Sequence, residues 1–225
     1  MSAGPRMVVI AVTDIHGRAE TLDLIAAQLA SADLVLLTGD LTHFGRRPDA
    51  ERVVQAVRRH NPNVLAVSGN CDCPEVEGYL IGQGIGLHAR HQMVGGVAFL
   101  GLGGSLPAPG RTPNEFTEKE LAAFLEEAAM GLDPAAPCVL VSHQPPADTA
   151  VDRVNSGAHV GSRAVRRFIE EHTPLICFSG HIHEAAGTDA IGPTRLVNPG
   201  PLRNGGYAHA RLADSAVELE IRRFR

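Results

Sequence analysis

The sequence predicts an α/β fold: a four-layer α-β-β-α sandwich in which two stacked mixed sheets are flanked by helices. Two observations favour it. Short runs of Val, Ile, Leu and Ala alternate with amphipathic helical segments over most of the chain, and the last strands follow one another without helices between them. A chain of 225 residues is long enough for one sizeable core. We therefore expect a single domain over residues 1–225.

The first third of the chain alternates strands with helices. An apolar run begins the first strand at Val8, and Leu22, Ile25 and Leu29 share one face of the helix that follows. Pro48 suits the first turn of a second helix, because proline lacks the amide hydrogen that this turn leaves unpaired. The remaining elements expected here are a helix over residues 18–30, strands over 33–37 and 63–67, and a helix over about 74–81.

The rest of the chain changes character at a hairpin joined by Gly95-Gly96. Thr117 and Glu120 form a capping box that begins a helix. Residues 144–161 lack periodicity and are too long for a simple connection, so we expect a functional loop over the site. The other expected elements are strands over residues 88–94, 97–102 and 138–142, a helix over 162–172, and strands from 175 and over 195–197, 207–212 and 217–221. The hairpin and the three late strands predict a second, mostly antiparallel sheet.

Composition narrows the functional classes. The net charge of -5 offers no electrostatic footprint for long DNA or RNA, which disfavours a nuclease. The four cysteines show no paired spacing, so a reducing cytoplasm is expected. The apolar run at the N-terminus is too short for a signal peptide or a membrane span, and we expect no membrane partner. Whether the chain forms a homodimer is left open by the sequence.

Polar side chains follow five of the predicted strands. Because the carboxyl ends of strands meet at one edge of a sheet, we expect these side chains to converge. Asp14 and His16 are two apart at a strand end, which aims both into one space. The set of candidate metal ligands is Asp14, His16, Asp40, Asn70, His143, His181 and His183.

This donor set is too large for one ion and suffices for two if Asp40 bridges them. Nitrogen and oxygen ligands without thiolate suit Mn, Fe, Zn, Co or Ni better than Mg or Ca. Two divalent ions roughly 3.5–4 Å apart, held by two carboxylates, leave a positive site that attracts phosphate. A bridging water would have a pKa of about 7 and act as a hydroxide nucleophile. Hydrolysis of a phosphate ester is the reaction expected.

Asp14-x-His16, Gly39-Asp40, Gly69-Asn70, His143 and Gly180-His181-x-His183 stand in this order at these strand ends. Together they resemble the five motifs of the calcineurin-like metallophosphoesterase superfamily, and the resemblance covers nearly the whole chain. It implies a binuclear metal centre, for which we favour manganese. Its first ion would be held by Asp14, His16, Asp40 and His183, and its second by Asp40, Asn70, His143 and His181.

Catalytic roles are expected for Asn70 and His143, and Asn70 is also expected to contact the substrate. Asn198-Pro-Gly200 resembles a loop of small bacterial members, and we expect Asn198 to bond the loop backbone rather than a ligand.

The third motif departs from the family pattern. Many members carry histidine after the asparagine and use it to protonate the leaving group, whereas this chain reads Gly69-Asn70-Cys71-Asp72. A thiol donates a proton less readily than an imidazolium. Cys71 is therefore either a weak acid or a small residue in a tight loop, and His159 is the preferred substitute acid or phosphate contact. Whether His43 reaches the site or faces solvent stays open.

The Gly-Asn-Cys-Asp form of the third motif resembles that of a small bacterial phosphodiesterase branch, which also includes proteins that serve mainly as scaffolds. The function expected is therefore a metal-dependent phosphoesterase that acts on small phosphorylated substrates, with diesters favoured over monoesters. The alternative is a binding or scaffold protein of the same fold that keeps structural metals and has lost catalysis.

Overall fold

The computed structural model describes residues 6–213 and 216–224 and shows two β-sheets flanked by helices. The strands are β1 (Arg6–Val12), β2 (Leu34–Thr38), β3 (Val64–Val67), β4 (Arg90–Val94), β5 (Val97–Leu102), β6 (Cys138–Ser142), β7 (Ile176–Phe178), β8 (Gly187–Ile191), β9 (Thr194–Asn198), β10 (Gly206–Ala213) and β11 (Ala216–Arg223). The helices are α1 (Ala26–Ser31), α2 (Arg47–Arg58), α3 (Pro74–Gly82), α4 (Glu118–Ala129) and α5 (Arg163–His172). Short 3₁₀ helices cover Ala19–Ile25, His183–Ala185 and Leu202–Asn204.

Both sheets are mixed, which confirms the predicted fold class. The five-stranded sheet has the order β11-β10-β1-β2-β3, and the six-stranded sheet has the order β4-β5-β6-β7-β9-β8. In the second sheet β5, β6, β7 and β9 run parallel to one another, and only β4 and β8 are antiparallel.

The prediction of a mostly antiparallel second sheet is therefore wrong. Helix α4 carries the chain from the hairpin to a parallel β6, while β10 returns antiparallel beside β1. The late strands thus divide between the two sheets.

Strand β8 (Gly187–Ile191) was not predicted. It is an edge strand that pairs antiparallel with β9, and its side chains alternate between partly buried and exposed until Ile191. Its glycine and aspartate are residues that strands disfavour, so the segment carries little local signal. The predicted helix over residues 18–30 also differs: it begins as a 3₁₀ helix, in which the spacing of three between Leu22 and Ile25 places both on one buried face.

Three apolar clusters define the layers. The cluster between the sheets contains Leu36 and Val67 from one and Phe99 and Phe178 from the other. A second cluster packs the outer face of the five-stranded sheet against α2 and α3, and a third packs the six-stranded sheet against α4 and α5. Apolar layers on both faces explain why β2, β3, β5, β6 and β7 are buried along their whole length.

Helix starts follow the predicted caps. Thr117 accepts a hydrogen bond from the backbone amide of Glu120, and the Glu120 carboxylate accepts one from the Thr117 amide, so the predicted capping box is confirmed. Ser162 caps α5 through the amide of Val165 and donates to Glu118 of α4. These bonds join the starts of the two helices that cover the six-stranded sheet.

Within the described residues, none of the helices combines the length and apolarity needed to cross a bilayer. Residues 1–5, part of the N-terminal run discussed above, lie outside the described ranges.

Candidate metal centre

The candidate ligands lie in the loops that follow β1, β2, β3, β6 and β7. Four of them adopt the left-handed backbone region, with φ of 53° at Asp14, 50° at His16, 48° at Asp40 and 65° at His181. Side chains other than glycine rarely occupy this region, and each such residue costs about 1 kcal/mol or more. The Asp-x-His pair was expected to converge by strand alternation, but β1 ends at Val12 and the sharp turns aim these side chains instead.

One group of donors brings together the loops after β1 and β7. The Nε2 atom of His16 lies 3.3 Å from Nε2 of His183. Oδ1 of Asp14 lies 3.0 Å from the same His183 nitrogen and 3.9 Å from His16 Nε2. Oδ2 of Asp40 lies 3.8 Å from His16 Nε2. Two ring nitrogens and two carboxylates thus face one small volume.

A second group forms around His143, which is fully buried. Its Nδ1 lies 2.9 Å from the carbonyl oxygen of Thr38, which can only accept, so Nδ1 carries the hydrogen. When the ring is neutral, Nε2 carries a lone pair and no hydrogen. This nitrogen nevertheless lies 3.0 Å from Oδ1 of Asn70 and 3.4 Å from Oδ1 of Asp40, which are both acceptors. Three acceptor atoms therefore converge, an arrangement that a cation between them would satisfy.

The orientation of Asn70 is set by two residues that the sequence did not single out. The hydroxyl of Thr112 donates to the carboxylate of Glu115, 2.7 Å away, so the Thr112 oxygen is left to accept. The Asn70 amide nitrogen donates to it at 3.0 Å, which turns Oδ1 towards His143. Such outer contacts typically fix the direction of metal ligands. Thr112 and Glu115 lie in the connection between β5 and α4, where no local pattern marks them.

His181 completes the set. Its ring centroid lies 5.3 Å from that of His143, and its backbone amide donates to Oδ2 of Asp14 at 3.2 Å. Burial lowers the pKa of His181 to about 3, which keeps the ring neutral and able to bind a cation. Asn198 donates to the carbonyl oxygens of Gly180 and Ile182 around this turn, as predicted. The structure therefore brings all seven candidate ligands into one region.

Two glycines are required by close approach. A Cβ on Gly69 would lie 2.1 Å from the backbone nitrogen and Oδ1 of Asp40. A Cβ on Gly180 would lie 2.0 Å from Oγ1 of Thr13 and 2.7 Å from Oδ2 of Asp14. This contact explains why glycine precedes the ligands of the third and fifth motifs.

Asp72 ties the second and third motif loops together. Its buried carboxylate accepts from the backbone amides of Leu41, Thr42 and Gly69 and from the Thr42 hydroxyl, at 2.7–3.1 Å. The sequence placed Asp72 in the third motif but gave it no role. Its position next to Asn70-Cys71 was the available signal.

Burial and neighbouring charges shift the acids of the site in opposite directions. Burial raises the pKa of Asp40 to about 6, and the nearby carboxylates add to this effect. Burial opposes ionisation of Asp14 as well, but the hydrogen bond with His183 and the nearby imidazoles hold its pKa below the ordinary value. Burial also lowers the pKa of His16 to about 4, whereas the Asp14 hydrogen bond raises that of His183. A divalent cation would stabilise the charged carboxylates that burial disfavours.

The structure distinguishes the three residues whose roles the sequence left open, Cys71, His43 and His159. Cys71 is buried, and burial together with the charge of Asp40 raises the pKa of its thiol, which weakens it as a proton donor. His43 reaches the site, because its ring centroid lies 5.5 Å from that of His16. His159 binds Asp152 through Nδ1 at 2.7 Å, and in residues 6–213 and 216–224 it hydrogen-bonds to none of the seven ligands.

The loop over residues 144–161 folds around Asp152. The Asp152 carboxylate accepts from the amides of Asp148, Thr149 and Gly161, as well as bonding His159. The loop is thus an ordered segment held by one buried acid. Its predicted role over the site stays a prediction.

The donor set fits divalent cations better than an ordinary hydrogen-bond network. Ring nitrogens 3.3 Å apart can share at most one hydrogen, and the His143 nitrogen faces two acceptors. The described chain contains three groups of potential ligands, and within each group the ligand atoms lie within 4.8 Å of one another. Two of these groups, Asp14/His16/His183 and Asp14/Asp40/His143, consist of predicted ligands. A sandwich fold with such a group of candidate ligands at the strand ends is the arrangement expected of a metallophosphoesterase.

Comparison with known proteins agrees with that class. The family model described as calcineurin-like phosphoesterase matches residues 7–185, and the chain belongs to this family. The family usually binds divalent metals. An uncharacterized protein of Methanocaldococcus jannaschii, MJ1162, is 35% identical over 199 residues, which span 87% of this chain and 88% of the relative.

Two solved structures show the same fold at low sequence identity. TT1561 of Thermus thermophilus superposes with a TM-score of 0.76 and 19% identity, covering 98% of this chain and 100% of that one. Purple acid phosphatase PPD1 from yellow lupin (Lupinus luteus) seeds has a TM-score of 0.59 and 13% identity, with 98% of this chain matching 52% of that chain.

Proposed function

We propose that the protein is a two-metal phosphoesterase that hydrolyses small phosphodiesters in preference to monoesters. The observation that carries the proposal is the convergence of ring nitrogens and carboxylate oxygens on one small volume, with His16 Nε2 3.3 Å from His183 Nε2 and His143 Nε2 3.4 Å from Oδ1 of Asp40. Membership of a phosphoesterase family supports the reaction type.

Asp40 lies between the two donor groups, since Oδ2 faces His16 and Oδ1 faces His143. It is the residue suited to bridge two ions. Asp14, His16 and His183 would complete the first position, and Asn70, His143 and His181 the second. When bound, two such cations supply the positive charge that attracts a phosphate and the Lewis acidity that activates water.

The chain's own residues set the orientation of the site. The bond to Thr38 fixes the His143 ring, and Thr112 fixes the Asn70 amide so that its oxygen faces inward. The amide of Cys71 donates to Asp40 Oδ1 at 2.7 Å, which holds the bridging carboxylate. These contacts give the ligands a defined direction before any cation binds, which lowers the cost of organising the site.

The preference for diesters is supported by the Gly-Asn-Cys-Asp form of the third motif, which resembles that of small phosphodiesterases. Cys71 occupies the position where many family members have a proton-donating histidine, and its thiol pKa is raised by burial. A weak acid near the leaving group favours substrates that depart without strong protonation. His159 remains a proposed substitute acid or phosphate contact, which requires its Asp152 pair to face the bound substrate.

The experiment compares bis-p-nitrophenyl phosphate with p-nitrophenyl phosphate as substrates of Mn²⁺-loaded protein. We expect hydrolysis that favours the diester, is abolished by EDTA and is restored by Mn²⁺. His143→Gln should lose about 100-fold or more, since even outer-shell changes at metal sites cost about 10–100-fold. His60→Gln, which changes a histidine paired with exposed Asp23, is the control and should keep full activity. Turnover of neither ester by protein with confirmed metal content would refute the proposal.

Cys71 also motivates the alternative that the protein is a non-catalytic scaffold. A second variant distinguishes this alternative from the phosphoesterase function. Cys71→His restores the residue type that many family members carry. A large gain on phenyl phosphate, a monoester whose leaving group needs protonation, would show that the site is catalytic and limited by its acid. Confirmed metal binding without turnover by either protein would favour the scaffold function.

A further inference from the structure

A third group of potential ligands adjoins the predicted centre, and two of its members are outside the predicted ligand set. His16, His43 and Cys71 each offer a ligand atom, and these atoms all lie within 4.8 Å of one another. The group shares only His16 with the Asp14/His16/His183 group. Cys71 supplies a thiol, which none of the seven predicted ligands does.

The two motif loops hold this group in place. The backbone amide of Phe44 donates to the carbonyl oxygen of Cys71 at 2.9 Å, so the loop that carries His43 is bonded directly to the loop that carries Cys71. The His43 ring packs edge-on against His16 and Phe44, with centroid distances of 5.5 and 4.7 Å. His43 is exposed whereas Cys71 is buried, so the group opens towards solvent on the His43 side.

One thiolate with two imidazoles is a soft donor set. It suits Zn²⁺ and Co²⁺, which accept sulfur and nitrogen ligands in tetrahedral geometry, and it suits Mn²⁺ or Mg²⁺ poorly. A fourth position would be left for water or a substrate atom.

We propose that His43 and Cys71, together with His16, form a separate binding position for a soft divalent cation of the zinc type. On binding, the Cys71 S–H bond is replaced by a sulfur–metal bond, and the proton passes to solvent. Because His16 is common to this position and to the Asp14/His183 group, the soft cation competes with the cation expected there. Zinc would then displace or misplace manganese at the catalytic centre.

Co²⁺ is the probe, because cobalt bound to a thiolate shows a charge-transfer absorption in the near ultraviolet that cobalt bound only to nitrogen and oxygen lacks. We expect wild-type protein, kept reduced with a phosphine, to develop this band on titration with Co²⁺, and Zn²⁺ to abolish it. Cys71→Ser should lose the band. His43→Gln, at an exposed position, should weaken Co²⁺ binding about tenfold or more without unfolding the chain.

Cys73→Ser is the matched control. Cys73 is two residues away and its thiol contacts the carbonyl oxygen of Phe44, 3.7 Å distant, so it belongs to no group of candidate ligands in the described chain. This variant should keep the band. A band that survives in Cys71→Ser, or no band in wild-type protein that binds Co²⁺, would overturn the inference. Neither readout depends on hydrolysis, so the soft-cation position and the phosphoesterase function can fail separately.

Discussion

Neutralising the central carboxylate should stabilise the metal-free protein. Asp40 is almost completely buried, and its carboxyl pKa is raised from 3.8 to about 6, chiefly by burial. The folded state therefore keeps this proton to a higher pH than the unfolded chain does. Its contribution to stability is present in full below about pH 4 and is lost as pH rises through about 6.

The magnitude follows from the difference between the folded and unfolded pKa, which corresponds to about 3 kcal/mol. Asn in place of Asp40 stays neutral at every pH and its side-chain oxygen can still accept from the Cys71 amide. We expect metal-free Asp40→Asn to exceed the wild type in free energy of unfolding by about 1–3 kcal/mol at pH 8 and by much less at pH 4. The same change should abolish two-metal binding, so stability and function move in opposite directions.

Urea denaturation of EDTA-treated protein at both pH values measures this effect. Asp148→Asn is the control, because Asp148 is exposed and should change the unfolding free energy by no more than about 0.5 kcal/mol at either pH. If Asp40→Asn were equally or less stable than the wild type at pH 8, the carboxylate would be a structural acid and not one held in an unfavourable state for a cation.

Three further predictions test the support of the site. Gly69→Ala should destabilise the metal-free protein by about 1–3 kcal/mol in thermal denaturation, because the added methyl group would lie 2.1 Å from Asp40. The control is Gly78→Ala, which has open space around it and should be neutral or stabilising. Asp72→Asn replaces one carboxylate oxygen by an NH2 group, which then faces either the amides of Leu41 and Gly69 or the amide and hydroxyl of Thr42. This change should cost about 1–3 kcal/mol in urea denaturation, and no loss would contradict the tethering role of Asp72. Mn²⁺ at about 100 times its Kd should add about 2.7 kcal/mol of stability for each ion bound, and His183→Gln, which loses a ligand of the first position only, should gain less than the wild type in calorimetry.

The sequence predicted the strands and the polar residues at their ends well, because both depend on local pattern. Strand β6 has the predicted bounds, and α4 begins at its predicted cap. Partition of the strands between two sheets was not predictable from periodicity, since buried parallel strands look alike in either sheet. Strand β8 was missed because glycine and aspartate give an edge strand no apolar pattern.

At the candidate site, too, some features were predictable from local sequence and others were not. Motif spacing predicted the seven ligand positions that the structure brings together, but not the left-handed backbone that aims Asp14 and Asp40. Thr112 and Glu115 orient Asn70 from a loop distant in sequence, a contact that only the folded chain reveals. Residues that act by holding others leave little mark on local sequence.

The central claim is that one edge of this sandwich holds two divalent cations bridged by Asp40. Anomalous diffraction from crystals soaked in Mn²⁺ tests it most directly. We expect two peaks about 3.5–4 Å apart, one beside His16 and His183 and the other beside Asn70 and His143, both in contact with Asp40. A single peak, or peaks remote from Asp40, would contradict the two-metal site and the function inferred from it.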